Sequence, residues 1–142
     1  MLRAFLIAAA LAVAGCAQVP PSSQEIADKK METVPGKGVV YIVQTPIGEY
    51  SAGLAFDDGT QITTYPGTFY RWVTAPGTHT MRSTGGNLSA SIKLQIEAGK
   101  IYFVQHSVTG IRGSTTDSRL HRIDDEAGRR LVTGGRPCCE AK

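Results

Sequence analysis

The clearest pattern in the chain is an alternation of apolar and polar residues in the stretch LSASIKLQIE, from Leu88 to Glu97. Its apolar residues occupy every second position, which is the period of a β-strand with one buried face. A helix repeats every 3.6 residues and would scatter the same residues around its axis. The segment is therefore predicted to form a strand whose apolar face lies against a core.

A two-residue period or a short apolar run recurs in other segments of the chain. Residues 39–43 are apolar on both faces, which is typical of a central strand. Further strands are predicted over residues 50–56, 61–65, 69–74, 78–83 and 101–108, and around Leu120 and Ile123. A short helix over Asp124 to Leu131, capped by Asp124, is predicted after the last strand.

Seven or eight short strands separated by turns predict an all-β fold, a small antiparallel β-sandwich of the Ig-like kind. The 16 glycines and 7 prolines agree with a domain rich in turns. We assign residues 38–133 to this domain, since about a hundred residues are enough to enclose a core between two small sheets. The other segments are predicted to be a leader (1–15), a flexible linker (16–37) and a C-terminal tail (134–142). The alternative for Ile26 to Met31 within the linker is a turn or two of helix.

The first residues have the pattern of a secretory leader. A positive start, Met1-Leu2-Arg3, precedes the apolar run from Ala4 to Ala14. As a helix this run would be about 16 Å long, which is short of the ~30 Å hydrocarbon core of a bilayer. It is therefore predicted to be the apolar region of a signal peptide. A plain cleaved signal or a buried helix is the alternative.

The end of this leader, Val13-Ala14-Gly15-Cys16, resembles the lipobox of bacterial lipoproteins. The resemblance implies cleavage between Gly15 and Cys16 and attachment of a diacylglycerol to the Cys16 thiol, usually followed by acylation of the new amine. Two or three acyl chains on one residue would make membrane attachment effectively permanent. Ala17, where an Asp would signal retention at the inner membrane, favours the outer membrane, with the domain facing the periplasm.

Motifs of the predicted domain resemble a bacterial lipoprotein family, the one with domain of unknown function 2846. The motifs are, in order, Pro35-Gly36-Lys37, Pro66-Gly67-Thr68-Phe69-Tyr70, Ala75-Pro76-Gly77-Thr78-His79 and Gly99-Lys100-Ile101-Tyr102-Phe103-Val104. The resemblance covers residues 35–132 and implies a lipid-anchored β-domain, without an activity or catalytic residues. The Pro-Gly turns are also similar to PEGA-type sandwich modules. The loop 110–118 and two adjacent cysteines depart from the family pattern.

The charge pattern argues against nucleic-acid binding. The chain has 15 Lys and Arg residues against 12 Asp and Glu, a net charge of +3. Its densest basic group, between Arg119 and Arg130, is interrupted by acidic residues, whereas nucleic-acid binding needs a sustained basic surface. The lipobox resemblance implies the membrane as a partner, through the lipid anchor, and we predict an envelope protein or a glycan as a further partner.

The sequence predicts no catalytic residues, no metal site and no cofactor. The histidines His79, His106 and His121 are not spaced as metal ligands, and hydrolase nucleophile motifs are absent from the sequence. His79 follows a Pro-Gly turn and is expected to form hydrogen bonds at a sheet end, while Asp57-Asp58-Gly59 is predicted to be a hairpin turn. We predict a non-enzymatic binding or structural accessory module. The alternative is an envelope hydrolase whose site the fold assembles from His79, His106 and nearby acidic residues.

Two aromatic residues on the predicted fourth strand, Tyr70 and Trp72, form a candidate binding surface. They share one face of that strand, opposite Phe69, Arg71 and Val73. An exposed Tyr and Trp would suit contacts with a glycan or a protein. The competing interpretation is that both rings fill the core.

The adjacent cysteines Cys138 and Cys139 have no internal partner if Cys16 is acylated. Neighbouring Cα atoms lie 3.8 Å apart, whereas disulfides prefer about 4.4–6.8 Å, so a bond between these two is disfavoured. Three states stay open at this point: an intermolecular disulfide, a strained vicinal disulfide, or free thiols on the tail.

Overall fold

Two β-sheets pack face to face in a computed structural model of the chain, which describes residues 19–48, 50–84, 90–110 and 116–139. The strands are β1 (Gly38–Val43), β2 (Ala52–Phe56), β3 (Gln61–Thr64), β4 (Thr68–Thr74), β5 (Gly77–Thr84), β6 (Ser91–Ile96), β7 (Ile101–Gly110), β8 (Thr116–Ile123) and β9 (Arg136–Pro137). The helices are α1 (Ser23–Lys29) and α2 (Asp125–Gly134). This architecture confirms the predicted all-β sandwich with a short C-terminal helix.

The first sheet has the strand order β8-β7-β1-β4-β9, and the second has the order β3-β2-β5-β6. β1 lies at the centre of the first sheet and is buried along its whole length, as its two apolar faces predicted. Its ladder with β7 is parallel, as is the short ladder between β4 and β9. These two ladders differ from the expected antiparallel pairing. β1 and β7 are distant in the sequence and are joined through the second sheet, and such a long connection allows the chain to return in the same direction.

The first sheet is covered on both faces. The buried residues between the two sheets form the inner core, which includes Ile42, Leu54, Trp72, Met81 and Val104. A second apolar cluster lies on the opposite face of the first sheet, around Tyr41, Phe69, Phe103 and Val132. The domain therefore has three layers: the second sheet, the first sheet and the helices.

Helix α2 forms where the sequence predicts it and is capped by Asp124, whose carboxylate accepts a hydrogen bond of 2.8 Å from the Ala127 amide. Its Val132 side chain is fully buried in the second cluster. Gly128 faces the ring of Phe103, and a side chain there would overlap that ring. The missing Cβ thus lets α2 lie close to the first sheet.

Helix α1 lies inside the segment predicted as a flexible linker, and it is packed on the domain. Ser22 caps it by accepting a hydrogen bond of 3.1 Å from the Glu25 amide. The Tyr41 hydroxyl donates a 2.6 Å hydrogen bond to the Asp28 carbonyl oxygen and ties the helix to β1. The ordered domain therefore begins before residue 38, because these contacts compensate for the few apolar residues in the segment.

Several predictions concern residues that the structure does not describe. The signal peptide, the cleavage site between Gly15 and Cys16 and the lipidation of Cys16 all lie outside the described residues. None of the helices in the described part of the chain is long and apolar enough to cross a membrane.

Candidate functional site

The turn between β2 and β3 contains two carboxylates that organise one end of the second sheet. Asp58 Oδ1 accepts a 2.9 Å hydrogen bond from the Thr60 amide, and Gly59 has a positive φ of 89°. Asp58 Oδ2 accepts another 2.9 Å bond from the Trp72 indole nitrogen of the first sheet. The predicted hairpin turn is confirmed, and it also links the two sheets.

His79 joins this turn to the start of β5. Its Nδ1 lies 3.1 Å from Asp57 Oδ1, and its Nε2 lies 2.8 Å from the Ala75 carbonyl oxygen. Both ring nitrogens thus face acceptors, and only the doubly protonated ring can donate to both. This is the expected sheet-end hydrogen bonding.

The order Asp57, His79, Thr74 has the outline of a catalytic triad, since the Thr74 hydroxyl lies 3.4 Å from His79 Nε2. A general base needs a free lone pair on that nitrogen. The shorter bond from Nε2 to the Ala75 carbonyl requires a proton there instead. His79 as placed is a donor to the backbone and not a base toward Thr74.

The charges around His79 favour its protonated form. Partial burial lowers its pKa, but the hydrogen bonds to Asp57 and Ala75 and the nearby carboxylates outweigh this, so the pKa is raised above 6.5. For Asp57, burial raises the pKa, yet the bonds from His79 and the Thr80 amide leave it below its ordinary value. The ion pair between His79 and Asp57 stabilises the fold fully below the pKa that His79 has in the unfolded chain. This stabilisation is lost as the pH rises through the higher pKa of His79 in the folded protein.

Replacing Asp57 by Asn should therefore destabilise the protein more at pH 6 than at pH 9. The expected difference is about 1 kcal/mol or less, because Asp57 is partly exposed to solvent. Urea unfolding at both pH values measures it. Asp125→Asn is the matched control: its partner Arg129 stays charged at both pH values, so its small effect should not change. An equal cost of Asp57→Asn at both pH values would contradict the ion pair.

His106 lies on β7 between the two sheets and is 0% exposed. Its Nδ1 is 2.8 Å from the Thr64 hydroxyl, and its Nε2 has no hydrogen-bond partner among the described residues. Burial lowers its pKa from 6.5 to about 4, so the ring is neutral at pH 7. The hydrogen bonds of His79 and His106 share no partner. His121 is exposed on β8.

The candidate binding surface on β4 is corrected by the structure. Trp72 is 3% exposed, and its ring lies 4.6 Å from that of Phe56 in the inner core. Tyr70 is half-buried and packs against the same core. The face of β4 that carries both rings points toward the second sheet, so the competing interpretation holds for Trp72.

Cys138 and Cys139 are joined in the structure by a vicinal disulfide, one of the three states that the sequence left open. Both residues are half-buried, beside the short strand β9. The Cys138 amide donates a 2.8 Å hydrogen bond to the Phe69 carbonyl, which holds this part of the tail against β4. The intermolecular disulfide stays a hypothesis.

A groove that the sequence analysis missed lies between α1, the segment before it and β9. It has a volume of about 950 Å³ and is lined by Val19, Pro20, Pro21, Ser22, Glu25, Ile26, Lys29, Lys30 and Arg136. The pattern Ser-x-x-Glu at Ser22 to Glu25 is a capping-box signature and could have predicted the helix that forms one wall. Arg136 reaches the groove only through the pairing of β9 with β4, which no sequence pattern indicates.

Within the described ranges, no group of three or more His, Cys, Asp or Glu residues could hold a metal ion. In comparisons with known proteins, no family model, curated protein or solved structure matches the chain.

Proposed function

We propose that this protein is a lipid-anchored protein of the bacterial cell envelope whose β-sandwich acts as a non-enzymatic binding or structural module. The observation that carries the proposal is the lipobox-like sequence ending at Cys16, directly after an apolar leader of signal-peptide length. The helix cap Ser22 follows Cys16 after a few residues, so an ordered domain begins close to the anchor.

The resemblance to the lipoprotein family with domain of unknown function 2846 is part of this proposal. It supports a lipid-anchored β-domain, and the all-β sandwich is compatible with it. Ala17 after the acylated cysteine supports a position on the outer membrane, facing the periplasm.

The environments of the histidines support a non-enzymatic role over the hydrolase alternative. His79 donates from both ring nitrogens, and His106 is enclosed between the sheets. A hydrolase would need one of them free to accept a proton from a nucleophile or a water molecule. Specific partners captured from crosslinked envelopes would support an accessory role, whereas turnover of an ester or glycan substrate by the purified protein would favour the alternative.

Replacing Cys16 by Ser should abolish lipidation and leave a precursor that retains its leader, because serine has no thiol to accept the diacylglycerol. The intact mass of the protein from membrane and soluble fractions measures both changes. Cys138→Ser is the control, since it replaces a cysteine that is not the predicted anchor. It should be processed and anchored like the wild type. A Cys16→Ser protein that is still mature and membrane-bound would refute the anchor.

A further inference from the structure

We propose that the groove beside α1, with the exposed side chains around it, is the face by which the domain lies on a bilayer that contains anionic phospholipids. The inference rests on the lipid anchor proposed above and adds an orientation to it. The apolar residues Val19 and Ile26 and the basic residues Lys30 and Arg136 are among those that line the groove. We call this surface the α1 face.

The short distance along the chain from the anchor limits how far the α1 face can be from the membrane. Val19 is the third residue after Cys16, so it lies at most about 11 Å from it even if the chain is fully extended. Ser22, which caps α1, is at most about 21 Å away. An acylated Cys16 at the surface of the bilayer therefore keeps the start of α1 beside that surface.

Helix α1 cannot move away from the domain without breaking its hydrogen bonds to β1 and β4, so its position fixes the orientation of the sandwich. The Tyr41 hydroxyl is bonded to the Asp28 carbonyl oxygen at 2.6 Å. Arg71 Nη2 donates a 3.2 Å hydrogen bond to the Glu32 carbonyl oxygen and holds the chain after the helix. The face of the domain that carries α1 is thus the face nearest to the anchor.

The α1 face has the apolar residues that an interfacial contact needs. Val19 is 91% exposed and Ile26 is 51% exposed, although both are large aliphatic residues. They stand on the same groove with Pro20 and Pro21. Exposed apolar side chains of this kind gain free energy when they enter the boundary between headgroups and acyl chains.

The charges of the α1 face select anionic headgroups. Glu25 forms a 2.7 Å ion pair with Lys29, so these two charges offset each other. Lys30 and Arg136 are exposed, and no ion pair joins either of them to another described residue. A basic residue close to an anionic membrane surface is attracted to it.

The opposite edge of the sandwich provides a matched control surface. β6 is the edge strand of the second sheet, and it packs near β8, whereas β3 at the other edge packs near β4. The outward side chains Arg82, Lys93 and Gln95 are exposed on this sheet. They have the charge of the α1 face without its apolar residues, and they lie far from the anchor along the chain.

The test uses the protein expressed in bacteria with its own leader and purified from their membranes. It is placed in vesicles of phosphatidylethanolamine and phosphatidylglycerol that contain brominated acyl chains, which quench nearby tryptophan. Ile26→Trp places a reporter on the α1 face, and Gln95→Trp places one on the control surface. The single native Trp72 is buried and contributes equally to both. We expect clear quenching of the reporter at position 26 and little quenching of the reporter at position 95.

Charge reversal tests the role of the anionic lipid. Lys30→Glu with Arg136→Glu should lower the ratio of membrane-facing to free orientations by at least roughly fivefold per residue, and quenching at position 26 should fall with it. The control, Arg82→Glu with Lys93→Glu, makes the same change in net charge and should leave the quenching unchanged.

The outcomes separate this inference from the anchor itself. A protein that does not float with the vesicles has no anchor, and the proposed function fails. A protein that floats but shows equal quenching at positions 26 and 95 is anchored without a preferred face, which overturns the inference alone. Equal effects of the two charge-reversal pairs would overturn the role of Lys30 and Arg136.

Discussion

Replacing Gly128 by Ala is expected to lower the free energy of unfolding by about 2–3 kcal/mol, because a Cβ at this position has no room. It would overlap with Phe103 Cγ and lie 2.5 Å from Phe103 Cβ and Cδ1. Phe103 is 1% exposed and stacks on Tyr41 at 5.6 Å, so its ring has no free space to enter. The higher helix propensity of alanine, worth up to about 1 kcal/mol, recovers only part of the loss.

Thermal unfolding measures this effect, and a domain of this size should lose roughly 8–20 °C in Tm. The second glycine within α2, Gly134, provides the matched control, since nothing lies within 4 Å of a Cβ added there. Gly134→Ala should change the free energy of unfolding by less than about 1 kcal/mol, and any change should be stabilising. Similar effects at the two positions would show that α2 does not pack on Phe103 in this way.

A second large effect is expected when the pH falls from 6.5 to 4, where the protein should lose about 3 kcal/mol through His106 alone. The pKa of His106 is about 4 in the folded protein and 6.5 when the residue is exposed. Between these values the unfolded chain binds a proton at His106 that the folded protein does not bind. Unfolding is therefore favoured progressively as the pH falls from 6.5 to 4, and the contribution of His106 to the free energy of unfolding is constant above this range.

His106→Gln removes the titration and keeps a side chain that can bond to Thr64. In urea unfolding between pH 7 and pH 4, this variant should lose less stability than the wild type, by about the same 3 kcal/mol. His121→Gln replaces an exposed histidine on β8 and should keep the steep dependence of the wild type. If His106→Gln and the wild type lose stability in parallel, His106 is not buried as a neutral ring.

Most strands could be predicted because one face of each carries a regular apolar pattern. In β6, Leu94 and Ile96 are buried as their alternation predicted, and β1 is central as its two apolar faces predicted. Trp72 could not be placed in this way, because both faces of β4 are covered. Phe69 lies under the helices and Trp72 lies between the sheets, so aromatic residues occur on both faces of β4. The pattern therefore does not indicate which face points toward the second sheet.

The polar contacts were less accessible to sequence analysis, because they join residues from distant elements. The bond between His79 and Asp57 depends on the pairing of β2 with β5, and the bond of His106 depends on the packing of β7 against β3. Helix α1 is a different case. Its capping pattern is present in the sequence, but its stability depends on Tyr41, whose hydroxyl reaches the helix from β1.

The parallel ladder between β1 and β7 has a consequence for the order in which the chain can fold. Val39 pairs with Ile101, so the central strand gains its second neighbour only after most of the domain has been synthesised. Such distant pairing slows folding and leaves unpaired strand edges exposed in the meantime. The segment Val39-Val40-Tyr41-Ile42-Val43 has no charge and a high preference for strands, which is the composition of an aggregation-prone segment. A chain that has not yet folded therefore exposes this aggregation-prone stretch until β7 can pair with β1.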